Sequence, residues 1–87
     1  MANPFELEIL TPKKRLFKGP VTSLVAPGEM GYLGVLANHA PLVTTLVAGN
    51  ITFRDPAGHP HTLRSTGAGL LEVYHNAATV LAEEVSE

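Results

Sequence analysis

The sequence contains no cysteine and no tryptophan, and aromatic residues make up only 6% of its 87 positions. Without cysteine there can be no disulfide, no thiolate metal site and no thiol nucleophile. The shortage of rings argues against a carbohydrate-binding module, because such modules present exposed aromatics to their ligands. Charge is also scarce, at 16% of residues, with Lys and Arg numbering 6 and a formal net charge of -2. Nucleic acid is therefore excluded as the main partner, since phosphate binding draws its affinity from clustered basic side chains. No stretch approaches the roughly 18 apolar residues that cross a bilayer, and the start "MANPFELEIL" lacks the basic and apolar regions of a signal peptide. The expectation is a cytosolic chain that does not span a membrane, or a peripheral part of something larger.

What is present is apolar: 45% of the residues are hydrophobic. The length suits one domain, residues 1–87, and a domain this small buries only about 60 to 65% of the surface its unfolded chain exposes. With so little charge to cover it, part of the surface should be apolar and face a partner.

The apolar residues alternate. In "FELEIL" Phe5, Leu7 and Ile9 point one way and Glu6 and Glu8 the other, the pattern of a half-buried strand, and Thr11-Pro12 stops it. "RLFK" follows, up to Gly19-Pro20, then "VTSLVA" up to Pro27-Gly28, "GYLGVL", and, after an Asn38 to Pro41 corner, "LVTTLVA" up to Gly49-Asn50. "ITFR" ends at the Asp55 to Gly58 turn, "HTLRST" at Gly67, and "LLEVY" turns at His75-Asn76 into "ATVLA", which fades into the acidic tail. About nine or ten short strands with Gly, Pro or Asn at nearly every junction form the all-β pattern, which closes as a sandwich or flattened barrel.

Four groups could carry chemistry. His39 has no serine elbow, thiol or nearby aspartate to work with, so it reads as a pin for the corner that Pro41 holds extended, or as a contact with a partner. His59 and His61 have the H-x-H spacing of a cupin metal site, but Arg64 and Ser65 stand where the carboxylate would be, and Pro60 puts the pair in a predicted turn. No metal or cofactor is expected. Gly28, Gly31 and Gly34 are not followed by the helix that a dinucleotide fingerprint needs; they should instead permit a tight turn or let another backbone come close. Lys13, Lys14, Arg15 and Lys18 read as a basic edge that discourages strand addition.

The order of segments "FELEILTP", "FKGPVTSLVAPGEMGYLGVLANHAPLVTTLVAGNI", "GLLEV" and "TVLAEE" resembles the ε subunit of bacterial F-type ATP synthase, named δ in mitochondria, and the match runs over essentially the whole chain. "GYLGVLANHAPLVT" carries its most specific spacing. The resemblance implies a ten-stranded β-sandwich of two five-stranded sheets with no active site. It further implies a rotor subunit of the central stalk, peripheral on the cytoplasmic face of the bacterial inner membrane, coupling proton flow to ATP synthesis. Its partners would be the γ subunit and the ring of c subunits, with α and β reached indirectly. His39, Ala40, Pro41, Leu42, Val43 and Thr44 match the segment facing γ, and Gly28, Glu29, Met30, Gly31, Tyr32 and Leu33 the turn that meets the c ring. Most bacterial members continue into two C-terminal helices that brake ATP hydrolysis and in some species bind ATP. This sequence stops at Glu87, where the first helix would begin, so the resemblance implies neither braking nor nucleotide binding.

Overall fold

Alternation builds the first strand as expected: in β1 (Phe5–Leu10), Phe5, Leu7 and Ile9 are buried and Glu6 faces out. Burying one such face requires a second sheet, and the computed structural model, which describes residues 3–86, supplies it from strands alone. The remaining strands are β2 (Arg15–Val21), β3 (Ser23–Gly28), β4 (Gly31–Val35), β5 (Leu42–Leu46), β6 (Gly49–Arg54), β7 (Pro60–Ser65), β8 (Gly69–Tyr74), β9 (Ala77–Ala82) and β10 (Val85–Ser86). One sheet runs β10-β7-β6-β3 with β4 on the far edge of β3, and the other runs β5-β8-β9-β1-β2. Pairing of Gly28 with Leu46 joins them at a corner, so the ten strands form one folded-over sheet. All pairings are antiparallel except β1 with β9, which places the N-terminal strand between β9 and β2.

The core lies between the two layers. Leu7, Ile9, Leu71 and Val80 from one side meet Leu24, Ala26, Ile51 and Phe53 from the other. At the side away from the β3 corner, the Phe17 ring packs 4.4 Å from Phe53, and His61 stacks on Phe53 at 5.1 Å. No buried side-chain nitrogen or oxygen among the described residues lacks a hydrogen-bond partner. Buried Ser65 donates from Oγ to the Gly67 carbonyl at 3.1 Å.

Several boundaries differ from the sequence expectation. β2 continues through Gly19-Pro20, because it is an edge strand and the missing N–H of Pro20 faces no partner. β3 likewise runs through Pro27, whose carbonyl accepts from Val47 N–H at 2.8 Å where β6 has left the edge and β5 arrives. The acidic tail is not loose: Val85 and Ser86 pair with Ser65 and Arg64, and the Thr66 hydroxyl donates to Glu84 Oε1 at 2.8 Å. His61 belongs to β7 and not to a turn.

Candidate functional site

The strand register sorts the candidate residues by direction. Gly28 meets Leu46 at one end of β5, while Leu42 at its other end pairs with Val73, so the turn after β3 and the loop before β5 occupy opposite ends of the sandwich. At the first end Glu29 and Met30 form the two-residue tip of the β3–β4 hairpin, and Met30 is 100% exposed. Gly31 follows with φ 124°, a backbone that favours glycine. Glu29 N–H donates to the Thr45 carbonyl at 3.2 Å, which ties the tip to β5. Of the other residues of this group, Gly31 and Tyr32 are exposed beside the tip, whereas Gly28 and Leu33 turn inward. Gly28 is buried, Leu33 packs against the core, and the Tyr32 hydroxyl is occupied in accepting the Asn50 N–H at 3.0 Å.

At the opposite end, Asn38 takes φ 63° and starts the loop that carries His39, Ala40 and Pro41, all exposed. The His39 ring uses Nδ1 on the Ala40 carbonyl at 2.7 Å, and no acid or nucleophile among the described residues joins it. Asn76 secures the loop: its Oδ1 accepts the Asn38 N–H at 2.6 Å and its Nδ2 donates to the Pro4 carbonyl at 3.3 Å. His75 and Asn76 both have positive φ, the conformation of a type I′ hairpin turn. The sequence reading placed the turn there but missed that Asn76 also holds the His39 loop.

Along β5 the candidates split by alternation. Leu42 packs against the core and Thr44 is half-buried, whereas Val43 is 64% exposed and Thr45 also faces outward. The outer face of this sheet therefore begins at Val43 and Thr45 and continues across β8, β9 and β1. Thr45, Leu70, Leu81 and Leu10 lie side by side in register, and the next row is Val43, Glu72, Thr79 and Glu8. Leu10, Pro12, Leu70, Leu81 and Glu83 help line a cleft of about 460 Å³ there. This apolar row was missed by sequence reasoning, although it left a signal. Strands "GLLEVY" and "AATVLA" each place a leucine where alternation calls for a polar residue. The outer face of the other sheet carries Thr52, Thr62, Asn50 and Arg64, with exposed Val25 beside Thr52 and exposed Tyr32 on β4.

The histidine pair answers to Asp55. His59 N–H donates to Asp55 Oδ1 and His61 Nε2 lies on Oδ2, both at 3.0 Å. No group of three or more His, Asp or Glu among the described residues is placed to hold a metal ion. The hydrogen bond from His61, followed by that from the His59 amide, holds the Asp55 carboxyl below its ordinary value. A depressed carboxylate contributes stability above its unfolded pKa and loses it as pH falls through the folded one. An NMR titration should place the Asp55 midpoint below the ordinary carboxylate value of about 3.9; a midpoint at or above that value would refute the contact.

No helix among the described residues is long and apolar enough to cross a membrane. Comparison with known proteins places this geometry. Residues 4–87 match the family model of the ATP synthase delta/epsilon chain β-sandwich domain. The ATP synthase epsilon chain of Dichelobacter nodosus is 38% identical over 86 residues, 99% of this chain and 59% of that protein. The epsilon chain of Pelotomaculum thermopropionicum is 47% identical over 76 residues, covering 87% of this chain and 55% of its own length. The chain thus spans little more than half the length of these relatives. A chain of the Euglena gracilis mitochondrial ATP synthase, solved as OSCP/F1/c-ring, superposes with a TM-score of 0.89 over 95% of this chain and 52% of that one. A chain of the Tetrahymena thermophila central stalk and c-ring does so with 0.79 over 99% and 68%. At 19% and 14% identity these two establish the fold alone. The sandwich, its register and the family match together make this chain a member of the ATP synthase delta/epsilon β-sandwich family.

Proposed function

We propose that this chain is a non-catalytic rotor subunit of a proton-translocating F-type ATP synthase, coupling proton flow to ATP synthesis. It binds the γ subunit through the His39 loop and the outer face that begins at Val43, and it meets the c ring at the Glu29-Met30 tip. The α and β subunits are reached only through γ. The chain lies on the cytoplasmic face of the bacterial inner membrane as a peripheral part of that complex.

One observation carries the γ contact. Leucines at 70 and 81 turn outward with exposures of 37% and 46%, in adjacent strands of one sheet, near Val43 at 64%. Solvent gives no reason to keep an apolar row there, and burial against a partner does. The relatives' name, ATP synthase epsilon chain, and the c-ring assemblies in which the solved neighbours sit support membership in such a complex, and γ as the partner is our reading from the family resemblance. A close-packed sandwich suits such a post, because dense interiors transmit strain with little compression.

The test is retention of the purified chain on immobilised γ and, separately, on c ring, at micromolar concentration. An interface of about 1,200 to 2,000 Å² is expected for γ. Failure of both partners to retain the chain would refute the stalk reading.

A further inference from the structure

Besides β5, whose corner edge meets only Gly28 and the Glu29 amide, three strands leave an edge open among the described residues, and two of them are guarded. The β2 edge is broken by a register shift opposite Leu10 and carries Arg15, Lys18 and Pro20, with Lys13 just before it. The β7 edge starts at Pro60, bears His61 and Arg64, and is capped over Arg64 and Ser65 by two-residue β10. Proline, basic side chains, irregularities and short caps are the devices that keep a foreign strand from adding. β4, with the sequence Gly-Tyr-Leu-Gly-Val, has none of them.

The hairpin register shows which of its amides are unspent. A two-residue loop makes Gly28 and Gly31 the closing hydrogen-bonded pair, and the pairing continues at Ala26 with Leu33 and Leu24 with Val35. Gly31, Leu33 and Val35 therefore direct their N–H and C=O groups at β3. Those of Tyr32 and Gly34 point to the open edge, where no backbone group among the described residues meets them. Both residues are exposed.

Gly34, like Gly19 on the guarded β2 edge, has no conformational or steric reason within the chain to be glycine. Gly31 and Gly58 have positive φ, and a Cβ at Gly28, Gly49, Gly67 or Gly69 would come within 3.0 Å of a neighbour. At Gly19 it would touch the Phe17 ring at 3.4 Å. At Gly34 it would meet only the Leu24 carbonyl, at 3.9 Å, an ordinary contact. A side chain can therefore be added at Gly34 without disturbing the free chain, which makes it the position at which to test the open edge.

We infer that the β4 edge receives an extended segment of the γ subunit as an added strand, hydrogen-bonded to Tyr32 and Gly34. This rests on the γ-binding reading above. The edge lies between the Glu29-Met30 tip and the His39 loop, so it is continuous with both proposed contacts. Addition of this kind takes its affinity from main-chain hydrogen bonds.

Gly34→Pro removes the outward N–H without costing any bond to β3, and Leu33 before it is already extended, as a residue preceding proline must be. Gly34→Ala keeps the N–H. Titration with γ should show Gly34→Ala within about threefold of the parent and Gly34→Pro weaker by at least about tenfold, roughly 1.4 kcal/mol, with both chains still folded. Hydrogen exchange on the parent gives an independent reading: the Tyr32 and Gly34 amides should exchange freely in the free chain and slow in the γ complex. A parent that binds γ while those amides stay unprotected, or Gly34→Pro binding as the parent does, would overturn the strand addition and leave the γ reading standing. A parent that fails to bind γ overturns both. Sedimentation showing a parent dimer that Gly34→Pro abolishes, with γ affinity unchanged, would assign the edge to a second copy of the chain and overturn the inference.

Discussion

Leu46→Asp is expected to abolish cooperative folding, whereas Val43→Lys on the same strand should leave the melt unchanged and weaken γ binding by about tenfold or more. Leu46 is 2% exposed at the corner where β3 meets β5, so a carboxylate there would be buried without a partner. An unpaired buried charge costs several kcal/mol, and domains of this size have a total stability of only about 5 to 15 kcal/mol. Val43 points the other way and lies opposite Glu72, so an introduced ammonium meets an opposite charge in the free protein and a desolvated apolar contact only in the complex. Circular dichroism melts and a γ titration on both variants decide the matter. A Leu46→Asp chain melting within about 5 °C of the parent, which corresponds to roughly 1 kcal/mol, would show that the corner is not buried as described. A Val43→Lys chain binding γ like the parent would remove the outer face from the interface.

Gly69→Val should destabilise the fold by about 3 kcal/mol, lowering the melting temperature by roughly 10 to 20 °C. A Cβ on Gly69 would lie 2.6 Å from the Leu81 carbonyl oxygen and 3.4 Å from the Ala82 Cα. Both obstacles are main chain of β9, and moving them would open the β8–β9 pairing that extends from Gly69 opposite Ala82 to Tyr74 opposite Ala77. Gly34→Ala, placed where the Cβ has room, serves as the control and should melt near the parent. Equal losses at the two positions would mean that glycine matters through chain entropy and not through contact.

Residues whose role depends on their own strand were readable from the sequence. Phe5, Leu7 and Ile9 alternate in the sequence and alternate in burial. The same alternation could have separated Val43 from Leu42 and Thr44, yet the family match named them as one block. Pro20 and Pro27 were unreadable for a different reason: a proline stops a strand only where its N–H is needed, and need is set by a neighbour distant in sequence. The same holds for β10, whose two residues become a strand only because Ser65 and Arg64 are waiting. His61 looked like a turn residue because its stacking partner, Phe53, lies across a hairpin and owes its position to Phe17 on the opposite layer. For the site, the tip and the loop were readable as spacing. The outward leucines, the Asn76 clasp and the unspent amides of β4 needed the register.

The position of β1 has a consequence for how the chain is made. Leu7 takes its place in the sheet beside Ala78 as well as beside Gly19, so the first strand of the sandwich to leave the ribosome needs a partner that is among the sandwich's last. Until β9 emerges, the apolar side of the β1–β2 hairpin has one uncovered edge and no finished layer to lie in. Pairings this distant in sequence slow folding, and the waiting hairpin is open to chance association meanwhile. The Lys and Arg residues clustered at the β1–β2 turn and along β2 lie on the part of the nascent chain that waits longest, where repulsion between like charges is of most use.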